Sequence, residues 1–135
     1  MGESNIMVLE GKSEKAGFCL VCNNEDYKCA FITCSPQYAY GKVVELKRHR
    51  ESDEVFMLIS GKATLLTGEP DCGKYDSREM QKGVSYCVTA GTWHYLGVTE
   101  DALVFVVENS GVSSENTDTV SVEEQNLWMD FEKKG

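Results

Sequence analysis

The sequence predicts an all-β domain, a sandwich or a closed barrel, and three observations predict it. Short runs rich in β-branched and aromatic residues recur between clusters of Gly, Pro, Asn and Asp. No segment before residue 120 repeats its apolar residues at helical spacing. The central runs, such as 55–59 (VFMLI) and 103–107 (LVFVV), are apolar throughout, as strands are when both faces of a sheet are covered.

The elements follow in order. Residues 16–22 (AGFCLVC) read as a strand, 23–26 (NNED) as a hairpin turn and 27–34 as the returning strand. Ser35-Pro36 ends it, because proline cannot donate to a ladder. Strands follow at 42–48 and 55–59, with a turn at 51–53 between them. Ser60-Gly61-Lys62 turns tightly into a strand at 63–67. Gly68 and Pro70 then open a polar loop reaching Lys82. Strands at 84–88, 93–98 and 102–108 are separated by turns at Ala90-Gly91 and Glu100-Asp101. Residues 109–119 (NSGVSSENTDT) read as a loop. Ser121 and Glu124 fit a capping box that would open a short C-terminal helix through Phe131, with Leu127, Trp128 and Phe131 on its apolar side; a final strand is the alternative.

At 135 residues, 41% of them hydrophobic, the chain is sized for one domain with a real core. No apolar run is long enough to cross a membrane as a helix. The first residues, MGESNIMVLEG, lack the basic start and apolar stretch of a secretory leader, so a cytoplasmic location is expected. A formal net charge of −9 argues against nucleic acid and anionic membrane as partners, since both call for a basic patch. Of the six cysteines, Cys19, Cys22, Cys29 and Cys34 are spaced C-x2-C-x6-C-x4-C. Structural zinc and a redox pair are both conceivable from that spacing, but these residues lie in strand-like sequence, where cysteine serves as a small hydrophobe. Free thiols are the expectation.

The chain has only two histidines, and both sit beside turns. Period-2 alternation puts Val43, Glu45, Lys47 and His49 on one face of their strand, and Glu54, Phe56 and Leu58 on one face of the next. His94, Leu96 and Val98 share a face opposite Trp93 and Tyr95. If Lys47, His49, Glu54 and His94 all point inward, they must meet one another or a ligand, because unpaired burial costs several kcal/mol each.

The stretch Gly41-x5-Lys47-x-His49-x4-Glu54-x6-Gly61 resembles the first motif of the cupin superfamily, G-x5-H-x-H-x3–4-E-x6-G. Gly83-x5-Thr89-x-Gly91-x2-His94-x3-Val98 resembles its second, G-x5-P-x-G-x2-H-x3-N. Each motif is loose alone, and the two together, in order and in register, are fairly specific. The resemblance implies an RmlC-like, cupin-type double-stranded β-helix (jelly-roll barrel). The whole chain would be one cupin domain, with its barrel core at about 16–110 and a C-terminal extension over 111–135. Three positions depart from the pattern: Lys47 stands for the first histidine, Thr89 for the proline and Val98 for the asparagine.

The resemblance places metal ligands at His49, Glu54 and His94. Two imidazoles and a carboxylate suit Fe(II) and are acceptable to Mn, Ni or Zn. Lys47 and Glu54 are then candidate catalytic groups, and Lys47, Phe56, Tyr86 and Tyr38 candidate pocket residues. Two functions stay open. One is a metal-dependent cupin that binds or acts on a small polar metabolite, a sugar or organic acid, as isomerase, lyase or dioxygenase. The other is a metal-free, non-catalytic module in which Lys47 pairs with Glu54 or Glu45 and occupies the metal position. A homodimer is expected, because a small chain whose strands are apolar on both faces leaves surface to cover.

Overall fold

The computed structural model describes residues 5–10 and 15–122. Among these there are two antiparallel five-stranded sheets and no α-helix. The first has the order β1-β2-β9-β4-β7, formed by Phe18–Asn23, Tyr27–Ile32, Leu103–Asn109, Glu54–Ser60 and Ser85–Val88. The second has the order β10-β3-β8-β5-β6, formed by Thr117–Ser121, Glu45–His49, Trp93–Val98, Ala63–Glu69 and Lys74–Glu79. Successive strands often switch sheets, as β3 and β4 do across the short 50–53 turn, so residues close in sequence face each other across the interior.

All eight expected strands form, with shifted ends. The two the sequence reading missed are β6, inside the expected 68–82 loop, and β10, which begins within the expected 109–119 loop and runs two residues past it. Both are edge strands of the same sheet. Both border solvent along one side, where polar and charged residues guard an open edge, and KYDSRE and TDTVS carry little apolar alternation. Ser121 ends β10 and does not begin a helix there; residues 123–131 of the expected helix lie outside the described residues.

Local chemistry explains the turns. Asn24 Oδ1 accepts from the backbone N–H groups of Asp26 (2.8 Å) and Tyr27 (3.0 Å), an Asx turn closing the β1–β2 hairpin. Gly61, between β4 and β5, has φ +72° and sits so close to the next turn that an added Cβ would lie 2.5 Å from Ala102 Cα. The core between the sheets is aliphatic, with Leu58, Leu96, Val98, Val104 and Val106 buried.

Candidate functional site

Four strands deliver polar groups to one end of the interior. His49 ends β3, Glu54 begins β4, His94 is the second residue of β8, and Glu108 is near the end of β9. Lys47 lies directly across from His94, and Glu54 directly across from Glu108. The 89–92 turn is tied to the same place: Gly91 N–H donates to the His49 carbonyl (2.8 Å), and Ala90 N–H donates to Asp53 Oδ1 (2.8 Å).

The inward aim inferred for the two imidazoles is what the structure shows. Their ring centroids are 5.4 Å apart, and both Nε2 atoms meet the same oxygen, Glu54 Oε1, at 2.9 Å from His94 and 3.2 Å from His49. Each outer nitrogen is also held. His94 Nδ1 donates to the Thr92 carbonyl (2.9 Å), and His49 Nδ1 bonds Thr117 Oγ1 (2.9 Å). Burial alone would raise the Glu54 carboxyl, but the His49 and His94 hydrogen bonds outweigh it and pull it down to about 2.

Glu108 responds in the opposite direction. It is 9% exposed, and its Oε2 lies 4.0 Å from His49 Nε2. Burial first, and then the Glu54 charge beside it, push its carboxyl up to about 7. The sequence reading placed Glu108 at the end of a strand and gave it no role. Its phase held the clue, since Val104, Val106 and Glu108 share the buried face of β9. Thr117 was missed because β10 read as a loop.

These groups line a cavity of about 310 Å³. Its apolar walls include Phe18, Ile32, Phe56 and Leu96, and Ser113 and Ser114 supply hydroxyls. Lys47, Phe56 and Tyr38, assigned to the pocket from sequence, line it; Tyr86 does not, and instead borders a separate surface cavity with its hydroxyl accepting from Gln81 N–H (2.8 Å). Tyr95, expected to alternate away from the site, is a lining residue. The segment before Gly41 runs along the end of β8, with Tyr40 N–H and Val98 N–H exchanging backbone bonds with Val98 and Tyr38, and this folds the Tyr38 ring onto Tyr95 at 5.3 Å. Burial and then the neighbouring ring push the Tyr38 phenol well above its usual range. Trp93 packs elsewhere, under the Arg48 guanidinium. Lys47 lines the cavity without an ion-pair partner among the described residues, and Glu54 is engaged by the imidazoles.

The donor set can be tested for a divalent cation. His94 Nδ1 is committed to donating to a carbonyl, so a neutral His94 aims its Nε2 lone pair at a carboxylate oxygen. Two acceptors at 2.9 Å repel unless a proton or a cation lies between them. Neighbouring ligands at right angles around a cation, each bonded at about 2.1 Å, stand about 3.0 Å apart. His49, Glu54 and His94 form the only such cluster among the described residues, with ligand atoms all within 4.8 Å of one another. The residues fit a divalent cation. The Cys19, Cys22, Cys29 and Cys34 set forms no such cluster, and all six cysteines are free thiols.

No family model and no curated protein matches the chain. Solved structures do. BH2720 from Bacillus halodurans is 14% identical, covers 95% of this chain and 96% of its own, and superposes with a TM-score of 0.64. An RmlC-like cupin family protein from Methanocaldococcus jannaschii is 17% identical over 79% of this chain and 93% of its own, with a TM-score of 0.53. Oxalate decarboxylase from Bacillus subtilis is 17% identical over 71% of this chain but only 24% of its own length, with a TM-score of 0.52. Likenesses at this level of identity bear on the fold, and the fold this chain shares with them is the double-stranded β-helix of the cupins.

Proposed function

We propose that the protein is a metal-dependent cupin that binds, and acts on, a small organic acid in the cavity between its sheets. The observation that carries this reading is the convergence of two imidazole Nε2 atoms on one buried carboxylate oxygen, with each outer nitrogen already held. That is the arrangement in which ligating histidines are oriented by outer partners. His49, Glu54 and His94 would hold the cation, which would act as a Lewis acid toward a carbonyl or carboxylate oxygen.

The chain's own residues supply the rest. Lys47, in the cavity wall and without an ion-pair partner among the described residues, offers its ammonium to the substrate's carboxylate. Phe56, Leu96 and Ile32 exclude water around the reacting end. Glu108 stands beside the ligand set, its Oε2 4.0 Å from His49 Nε2, where its carboxyl can exchange a proton with a substrate oxygen. A structural neighbour whose name specifies oxalate, a small dicarboxylate, supports the substrate class. Two exposed apolar residues, Ile59 (45%) and Val84 (41%), lie near the β4–β7 edge of their sheet and support a second copy of the chain as its cover.

Isothermal titration of chelator-stripped protein with Fe(II), Mn(II), Ni(II) and Zn(II) tests the metal reading. One equivalent should bind to the wild type, and His49→Ala and His94→Ala should each weaken binding by at least 100-fold. A wild type that binds none of the four at millimolar concentration would instead favour the metal-free module.

A further inference from the structure

Cys22 and Cys29 face each other across the β1–β2 hairpin as direct register partners. Elsewhere in that ladder a cysteine faces another residue type, as Cys19 faces Phe31. A β-bulge between Leu20 and Cys22 resets the register just before the pair, and bulges re-aim the side chains that follow them. The two residues differ in access. Cys29 is 6% exposed, whereas Cys22 is only partly buried on β1, the edge strand, where Asn24 Nδ2 reaches its sulfur at 4.0 Å. Their thiols interact, and burial with the neighbouring Cys22 sulfur raises Cys29 above the usual thiol range. The pair lies at the opposite edge of the sheet from the apolar β4–β7 edge and contributes nothing to the cavity lining.

We propose that Cys22 and Cys29 are a cross-strand dithiol that a low-molecular-weight disulfide oxidises to an intrachain disulfide. Directly opposed residues of an antiparallel pair bring their Cβ atoms to about 4.5–5.5 Å, close to the separation a disulfide spans. The accessible Cys22 thiolate attacks one sulfur of the small disulfide and expels one thiol, leaving a mixed disulfide on Cys22. The Cys29 thiolate then attacks Cys22 Sγ, forms the protein disulfide and expels the second thiol. The protein loses two electrons and two protons, and the small disulfide gains both. The bond ties the edge strand that carries Phe18, a cavity wall, to β2, which carries Ile32 opposite it.

The full chain, treated with oxidised glutathione and quenched with an alkylating agent, tests this by tryptic mass mapping. Cleavage after Lys28 separates the two cysteines; because the peptides 16–28 and 29–42 also carry Cys19 and Cys34, fragmentation of the linked pair that finds the alkylating agent on Cys19 and Cys34 is what assigns the bond. The expected result is a Cys22–Cys29 link that dithiothreitol reverses and a rise in Tm of about 5 °C on oxidation, from the short loop the bond closes. Cys22→Ser should abolish both, and Cys29→Ser should leave glutathione on Cys22. A lasting glutathione adduct on wild-type Cys22 with Cys29 free, or links that join other cysteines instead, would overturn the proposal.

Discussion

Replacing Glu54 by Gln removes one charge and almost no volume from the most interconnected group in the site. In metal-free protein its carboxyl is drawn from the usual 4.5 to about 2 against the cost of burial. That difference, about 2.5 units at 1.36 kcal/mol each, corresponds to an upper figure of about 3 kcal/mol. Because a folded-state pKa below the unfolded value favours the folded state above about pH 4.5, this contribution is fully present there and is lost as pH falls toward 2. Glu108 has the opposite sign. Raised to about 7, it favours the folded state below about pH 4.5 and loses that contribution as pH rises through 7. Its partial contact with the cavity solvent reduces it to about 1–2 kcal/mol. The two carboxyls are register partners and titrate as a pair, so wild-type stability should peak near pH 5. Urea unfolding followed by circular dichroism in EDTA, from pH 3 to 8.5, reads this directly. Glu54→Gln should be about 2–3 kcal/mol less stable than wild type at pH 5–6, with the gap closing toward pH 3, and should show a shallower alkaline decline because Glu108 no longer faces a charge. Glu108→Gln should match wild type near pH 5 and exceed it by about 1 kcal/mol at pH 8. A gap between wild type and Glu54→Gln that stays constant from pH 3 to 6 would refute the reasoning.

Three further substitutions probe separate links. Gly61→Ala places a Cβ 2.5 Å from Ala102 Cα at a residue with φ +72°, and should cost about 3 kcal/mol, seen as a Tm lower by roughly 10 °C; an unchanged Tm would mean the β4–β5 turn is not held as described. Thr117→Val removes the partner of His49 Nδ1 and should weaken metal binding about 10- to 100-fold by calorimetry while leaving the far-ultraviolet spectrum unchanged. Lys47→Met keeps most of the unbranched stem and deletes its charge; metal affinity should hold or rise, whereas binding of small carboxylates to the metal-loaded protein should fall about tenfold or more, and equal carboxylate affinity would remove Lys47 from substrate recognition.

What was legible in the sequence follows from which surfaces are dry. A strand packed on the core must alternate or be apolar throughout, so β4, β8 and β9 were visible; the parity that aimed Glu54 and His94 inward came with β4 and β8, and that of His49 with β3. Parity reports the direction of a Cβ and not the reach of a long side chain. Tyr95 therefore read as pointing away, although a chain segment from outside its sheet folds Tyr38 onto it.

Of the four edge strands, β1 and β7 were legible from their apolar residues, whereas β6 and β10 were not, for a reason that also bears on the site. β6 and β10 are polar because they border solvent, and a polar edge strand and a loop share one composition. Losing β10 meant losing Thr117, which decides how the His49 ring is turned. Glu108 was hidden differently: its strand was found, but an acidic residue near a strand end reads as the onset of a turn until the partner strand shows Glu54 opposite it. Both omissions are groups that tune the three proposed ligands without belonging to the two motifs. A chain with this fold can therefore keep His49, Glu54 and His94 and still change its chemistry at Lys47, Glu108 and Thr117, and those three positions are where its substrate preference should be sought.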